Sequence, residues 1–227
     1  MEWRAFLDLG KLWASRDYNQ ARDCFEAALE LARRMDEPAF LADSLNWMGN
    51  WHGNAENPLT AAEYHQEALE IVEALGDRQE LANTLDLLGI ANLLGGDFAT
   101  SVQYYDRAIA LYRELDDRPR LASSLMGRAT TVSGLVWLAS VPATLPCDPT
   151  FDFHEVLRIA GEVDLASEKV WAHWSLGLLH TVHGHFGRAL KVMQKGLRFA
   201  SEIRHRIPER ILSGTRDHPG VSRHYPR

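Results

Sequence analysis

The sequence predicts an all-α solenoid of about five antiparallel helix pairs, because it repeats itself in two registers. A segment of the form Leu-Ala-X-Ser/Thr-Leu begins at Leu41 and returns at Leu81 and Leu121, so its period is 40 residues. A second segment, which begins at Ala28, returns twice with the same period. A unit this short buries its apolar face only by stacking on neighbouring copies, so the repeats predict a solenoid.

Each unit is predicted to contain two helices. Apolar residues recur every three or four positions over 61–75, the spacing of an amphipathic helix. The break before this stripe holds Asn57 and Pro58, and the equivalent breaks hold Asp17 and Asp97. An Asx side chain can accept backbone N–H groups at a helix start, and proline suits the first turn. The predicted pairs are residues 1–36, 37–76, 77–117, 118–164 and 165–206.

The fourth unit is longer than the others, and the array is followed by a different kind of segment. A proline-rich insertion at about 140–150 contains Pro142, Pro146 and Pro149 and cannot continue a helix. Residues 207–227 are rich in arginine and proline and have no sustained apolar period. We expect them to form a disordered basic tail after the array of residues 1–206.

Composition narrows the range of partners. The chain has 227 residues, 24 Lys and Arg against 31 Asp and Glu, and a formal net charge of −7, which disfavours direct nucleic-acid binding. No apolar run is long enough to span a membrane, and the first residues do not form a signal peptide. Cys24 and Cys147 lie far apart and predict neither a disulfide framework nor a metal knuckle. We expect a cytoplasmic protein with no membrane partner.

Small and large residues also occupy fixed places within the pairs. Glycine or alanine lets two helices approach closely, and a large side chain fills the space beside it. The first pair has Leu9 where the glycine is expected, and the fourth has Ala129 there. In the second, third and fifth pairs the residues are Leu45, Gly49, Ala61, His65 and Ala68; Leu85, Gly89, Ser101, Tyr105 and Ala108; and His173, Gly177, Ala189, Met193 and Gly196.

This pattern resembles the tetratricopeptide repeat (TPR) over residues 1–206. With its long period, the array is similar to the repeat region of MalT-like, ATP-binding (STAND) bacterial regulators. The resemblance implies a right-handed superhelical solenoid whose first helices line a concave groove and which serves as a sensory or partner-binding arm. The chain has no P-loop motif and no basic helix-turn-helix stretch, so the resemblance further implies an arm detached from its regulator.

The resemblance places one row of side chains in the groove. Asparagine can donate and accept hydrogen bonds to a peptide backbone, aspartate favours a basic ligand, and tryptophan is a strong interface anchor. For the polar members a merely solvated surface remains an alternative, and for the two tryptophans burial in the core is slightly favoured over exposure. The row consists of Asp43, Asn46, Asn50, Asn83, Asp86, Ile90, Ser123, Met126, Thr130, Trp171, Trp174 and Leu178.

The histidines provide the strongest candidate for catalytic chemistry. His173, His180 and His183 share a helical face at a spacing that could hold a transition metal. However, His173 and His180 occupy places where the repeat has large packing residues, so we predict no metal, no cofactor and no catalytic residues. A metal-dependent enzyme stays a remote alternative.

Three functional hypotheses therefore differ in class. The first is a non-catalytic scaffold that binds a protein or peptide in the groove. The second is a sensor of a small effector around Trp171 and Trp174, and the third is the metal-dependent enzyme. The first helix also predicts an uncapped end face, through which the chain would self-associate or contact an adjoining domain. Its apolar residues are Trp3, Phe6, Leu9, Leu12 and Trp13.

Overall fold

A computed structural model describes the backbone of residues 2–139 and 148–214, and side-chain surroundings for 2–133 and 148–202. Over these ranges the chain is all α-helix with no β-strand. The helices are α1 (Glu2–Trp13), α2 (Tyr18–Arg34), α3 (Pro38–Asn54), α4 (Pro58–Leu75), α5 (Arg78–Gly95), α6 (Phe98–Glu114), α7 (Arg118–Ala139), α8 (Pro149–Glu162), α9 (Ala166–Val182) and α10 (Phe186–Gly214).

Consecutive helices pack as hairpins, and each hairpin stacks on the next. The first helix of a pair contacts the second helix of its own pair and both helices of the preceding one, as α5 does with α6, α4 and α3. One continuous apolar core runs along the stack, from Leu7 in α1 to Ala172 in α9. The predicted all-α solenoid is therefore confirmed.

Helix starts follow the sequence signals at most turns. Asp17 accepts hydrogen bonds from two backbone N–H groups at the start of α2, and Asp97 accepts one at the start of α6, as predicted. Asn57 differs, because its amide donates to the carbonyl of Ala55 at 3.1 Å and caps nothing. There Pro58 starts the helix, since its fixed φ suits the first turn.

Close approach within a pair depends on the glycines of the first helices. A Cβ at Gly49 would lie 2.4 Å from the ring of His65, so only glycine leaves room for this ring. The prediction of Leu9 at this place in the first pair is wrong, because Gly10 occupies it and faces Phe25. The segment between Gly10 and the start of α2 is one residue shorter than its counterpart in the second pair. A fixed period of 40 residues therefore leads from Gly49 to Leu9 instead of Gly10.

Two predicted segments fall partly outside the described residues. Most of the proline-rich insertion, residues 140–147, is not described, and α7 and α8 flank it. The last helix, α10, continues to Gly214, beyond the predicted start of the tail at residue 207. The rest of the predicted tail, residues 215–227, lies outside the described range.

Candidate binding surfaces

Two members of the predicted groove row point into the stack instead of the groove. Asn46 is buried, and its amide nitrogen donates to the hydroxyl of Thr84 at 2.9 Å. Its amide oxygen lies 3.0 Å from Nδ1 of His65, which donates the hydrogen. One pair later, the hydroxyl of Ser124 donates to the carboxylate of Asp86. These bonds tie each first helix to the next, so neither side chain is free for a ligand.

Burial at these contacts shifts the pKa of two groups. It lowers the pKa of His65 to about 4, so the ring is neutral at physiological pH and its single hydrogen lies on Nδ1. Burial raises the pKa of Asp86 to about 6, although the hydrogen bond from Ser124 and the charge of Arg120 oppose the rise. The second and third pairs therefore place a neutral amide and a titratable carboxyl at equivalent positions.

The other polar members of the row are divided between separate surfaces. Asp43 lines a cavity of about 280 Å³ together with Trp3 and Phe40. Asn50 lines a different cavity of about 140 Å³ together with Ile90. Ser123 and Thr130 are exposed on α7, whereas Asn83 is half-buried and accepts a hydrogen bond from the Tyr112 hydroxyl at 2.9 Å. Met126 and Leu178 are half-buried, and Met126 packs against the core.

The two tryptophans of α9 are exposed, so the expectation that favoured burial in the core is wrong. Trp171 is 62% exposed and Trp174 is 51% exposed. Trp174 occupies the place of Asn46 and Asp86, which point at the following pair. Because no further pair follows among the described residues, about half of this side chain stays exposed.

The last helix has the same property. Leu190 and Leu197 are 60% and 68% exposed, whereas their equivalents Val102 and Ile109 are only 5% and 1% exposed. We call the surface formed by Trp171, Trp174, Leu190 and Leu197 the C-terminal apolar face. Exposed large apolar side chains grouped on the last pair of a stack are typical of protein–protein contact sites.

At the other end of the stack, only part of the predicted apolar face is exposed. Trp3 is buried, its ring stacks on Phe40 at 4.1 Å between centroids, and its indole N–H donates to Ser44 at 2.7 Å. The prediction of Trp3 as part of an uncapped end face is therefore wrong, and Phe6 is half-buried against the core. The exposed part of this end consists of Leu9, Leu12 and Trp13.

The predicted histidine group does not form one site. His173 is buried and its Nδ1 lies 2.6 Å from the carbonyl oxygen of Lys169. The rings of His180 and His183 lie near His185, with centroids 6.1 and 6.2 Å from it. Within the part of the chain whose side chains are described, no three His, Cys, Asp or Glu residues are placed to hold a metal ion.

None of the described helices is both long enough and apolar enough to cross a membrane.

Comparisons with known proteins agree with this architecture. Residues 40–114 match the family model described as tetratricopeptide repeat. A Rap protein complexed with Competence and Sporulation Factor is similar with a TM-score of 0.73 at 14% identity, and the match covers 88% of this chain and 54% of that one. The chain therefore spans about half the length of the Rap protein. No curated protein sequence matches the chain.

Two further solved structures have the same fold. Nearly identical TPR-like repeats from Podosopora anserina, attributed to a kinesin light chain, match with a TM-score of 0.69 at 10% identity, over 88% of this chain and 95% of that one. A STAND protein with a tetratricopeptide repeat sensor from Pyrococcus horikoshii matches with a TM-score of 0.69 at 14% identity, over 93% of this chain and 31% of that one. At such low identities the likeness concerns the fold alone.

Proposed function

We propose that this tetratricopeptide-repeat chain is a scaffold that binds a protein segment or peptide and performs no catalytic step. The observation that carries the proposal is the C-terminal apolar face, where Trp171 and Trp174 are both exposed and Trp174 occupies a position that points into the stack in the second and third pairs. Large aromatic residues in such a setting supply most of the energy of an interface.

A bound segment would cover this face and extend toward the polar side chains of the groove. Ser123 and Thr130 are exposed on α7, and Asn50 lines the neighbouring cavity further along the stack. Hydroxyl and amide groups can both donate and accept, so they suit a peptide backbone of variable sequence. The tryptophans would provide affinity and the polar row would provide orientation.

We further propose that the chain is the sensory or partner-binding arm of a bacterial signalling or transcription regulator. Two of the similar structures support this context: one is a Rap protein complexed with Competence and Sporulation Factor, and the other is a STAND protein with a repeat sensor. In such an arm, a ligand acts by binding one conformation of the array more tightly than another.

The exposed residues Leu9, Leu12 and Trp13 support a second contact surface, for self-association or an adjoining domain. Sedimentation at increasing protein concentration tests whether this surface mediates self-association. Association that Leu12→Glu abolishes supports self-contact through this end, and a monomer at all concentrations contradicts it.

The main proposal is tested by selecting binders from a random peptide library with the full chain. Selected peptides are then titrated against a Trp171→Ala/Trp174→Ala variant and against Phe151→Ala, which removes an exposed aromatic from α8. One hot spot of roughly 2 kcal/mol corresponds to about thirtyfold in affinity, so loss of both anchors should weaken binding by at least this factor. Phe151→Ala should bind like the wild type.

Equal affinity of the wild type and the double variant for every selected peptide would contradict the proposed site. A second candidate function is sensing of a small effector. The sequence predicts it around Trp171 and Trp174, but the cavity of about 530 Å³ that supports it lies between α8, α9 and α10 and is lined by neither tryptophan. That volume lies within the range typical of small-molecule sites.

A further inference from the structure

The second helices of successive pairs are joined by a regular series of ion pairs. Each ion pair links a residue near the end of one second helix to a residue in the middle of the next second helix. The sign of the charge alternates along the stack. The residue near the helix end is basic in the first ion pair, acidic in the second and basic in the third. The ion pairs are Arg33–Glu67 at 3.9 Å, Glu73–Arg107 at 2.7 Å and Arg113–Glu155 at 2.8 Å.

The series stops at the fourth step, between α8 and α10. Allowing for the eight-residue insertion, the residue equivalent to Arg113 is Gly161, and the residue equivalent to Glu155 is Lys195. Lys195 therefore faces a position that has no side chain. A Cβ built on Gly161 would meet no atom within 4 Å, so this is open space.

Two further repeat positions are altered at the same place. The leucine that opens the repeated segment, as in Leu81, is Lys169 in the fifth pair. The fully buried leucine four residues later, as in Leu85, is His173. Three departures from the chain's own repeat thus converge between α8, α9 and α10. Departures from a consistent framework are expected where a site has been built into it.

These residues line the cavity of about 530 Å³. Lys195 and Arg198 make no ion pair with any residue whose side chain is described, whereas Lys169 binds Asp164 at 3.0 Å. Glu202 is an acidic side chain in the lining, so the cationic groups exceed the acidic ones. The complete lining is Leu157, Gly161, Lys169, His173, Lys195, Arg198, Phe199 and Glu202.

We propose that this cavity binds a small organic anion with an apolar portion. The anionic group would pair with Lys195 and Arg198, in place of the carboxylate that the missing ion pair would have supplied. The apolar portion would contact Leu157 and Phe199, which are half-buried at the cavity wall. None of the residues of the C-terminal apolar face lines this cavity, so the site is distinct from the proposed peptide-binding face.

The test uses the ¹⁵N-labelled full chain titrated with hexanoate, with inorganic phosphate and with 1-hexanol, the uncharged match of hexanoate. Hexanoate should shift the backbone amide signals of residues 157–161 and 195–199, and 1-hexanol should bind about tenfold more weakly or not at all. Binding of phosphate but not hexanoate would overturn the role given to Leu157 and Phe199. Absence of site-specific shifts with both anions would overturn the proposal.

A variant that restores the missing ion pair provides the decisive control. Gly161→Glu places a carboxylate opposite Lys195 and should weaken hexanoate binding by about tenfold or more. Gly161→Ala makes the same helix change without charge, and Gly187→Glu adds the same charge at another open position. Both should bind hexanoate like the wild type, and equal binding by Gly161→Glu would contradict the site. A urea midpoint no lower than that of Gly161→Ala confirms that Gly161→Glu is folded.

Discussion

The second and third pairs repeat the same contacts between neighbours, whereas the fourth and fifth pairs replace them. Asn46 bonds to Thr84, and the equivalent Asp86 bonds to Ser124. At the next step the equivalent residues are Met126 and Ala172, which have no side-chain polar groups. A polar connection between first helices therefore gives way to apolar packing in the second half of the array.

This difference separates residues that build the stack from residues that are available for binding. Where a repeat position keeps its residue type and a further pair follows, its side chain is covered by that pair, as with Leu69 and Ile109. At Lys169 and Trp174 the type changes, and these side chains line a cavity and an exposed face. Comparison of a repeat chain with itself thus identifies candidate sites without any relative.

The largest expected effect concerns Arg128, which occupies the place of the buried Leu88 one pair earlier. Its guanidinium binds both carboxylate oxygens of the buried Asp152, at 2.8 and 2.7 Å. Arg128→Leu restores the residue of the regular repeat but leaves the Asp152 charge unpaired. We expect the free energy of unfolding, measured in urea, to fall by about 3–5 kcal/mol.

The double variant Arg128→Leu/Asp152→Leu should recover most of this loss, because no buried charge remains. Arg107→Leu serves as the control and should cost about 1 kcal/mol or less, since its ion pair with Glu73 is at the surface. A small loss in Arg128→Leu alone would mean that the fourth pair does not depend on this ion pair.

The next effect compares one repeat position in two environments. Leu69 is 4% exposed beneath the third pair, and Leu197 occupies the equivalent position on the C-terminal apolar face. Leu69→Ala should lower the free energy of unfolding by about 2–5 kcal/mol through the cavity it leaves. Leu197→Ala should change it by only about 0.5 kcal/mol, because its side chain is already in solvent. Equal losses in urea unfolding would show that the last pair is covered in solution.

The smallest effect concerns the pH dependence contributed by Asp86. Because its pKa in the folded protein is raised to about 6, the native state retains a proton that the unfolded chain has lost above about pH 4. Stability should therefore fall as pH rises from about 4 to 6 and remain lower above that range. Asp86→Asn introduces the residue that the second pair has at this position, Asn46. It should raise the free energy of unfolding by roughly 1–2 kcal/mol at pH 7.

Urea midpoints of the wild type and Asp86→Asn, measured from pH 4 to 7.5, test this sign. The advantage of the variant should shrink toward pH 4, where the folded aspartate is protonated and the unfolded one is about half protonated. An advantage that does not change with pH would rule out titration of Asp86 as its cause.

The fold followed from the sequence because its determinants are local and repeated. The period, the glycines beside large residues and the Asx signals at Asp17 and Asp97 are all visible without coordinates. Gly10 was misplaced because one short turn changed the register. A fixed period carries no information about such a local deletion.

The groove was less predictable because an asparagine has the same sequence signal whether it binds a ligand or a neighbouring helix. The partner of Asn46 lies 38 residues away, so only the helix phase decides its direction. A signal is nevertheless present in the second and third pairs, where the hydroxyl residues Ser44 and Thr84 each come two positions before a polar residue, Asn46 and Asp86. The exposure of Trp174 could not be read in this way, because it depends on which helices follow.

Hydroxyl-radical footprinting of the full chain with and without a library-selected peptide tests the central claim most directly, because it reports the exposure of individual side chains. The account predicts that the peptide protects Trp171, Trp174 and Leu197 from oxidation, while Leu59 on α4 remains as reactive as in the free chain. Protection confined to the second and third pairs, with both α9 tryptophans unchanged, would contradict the assignment of binding to the irregular end of the array.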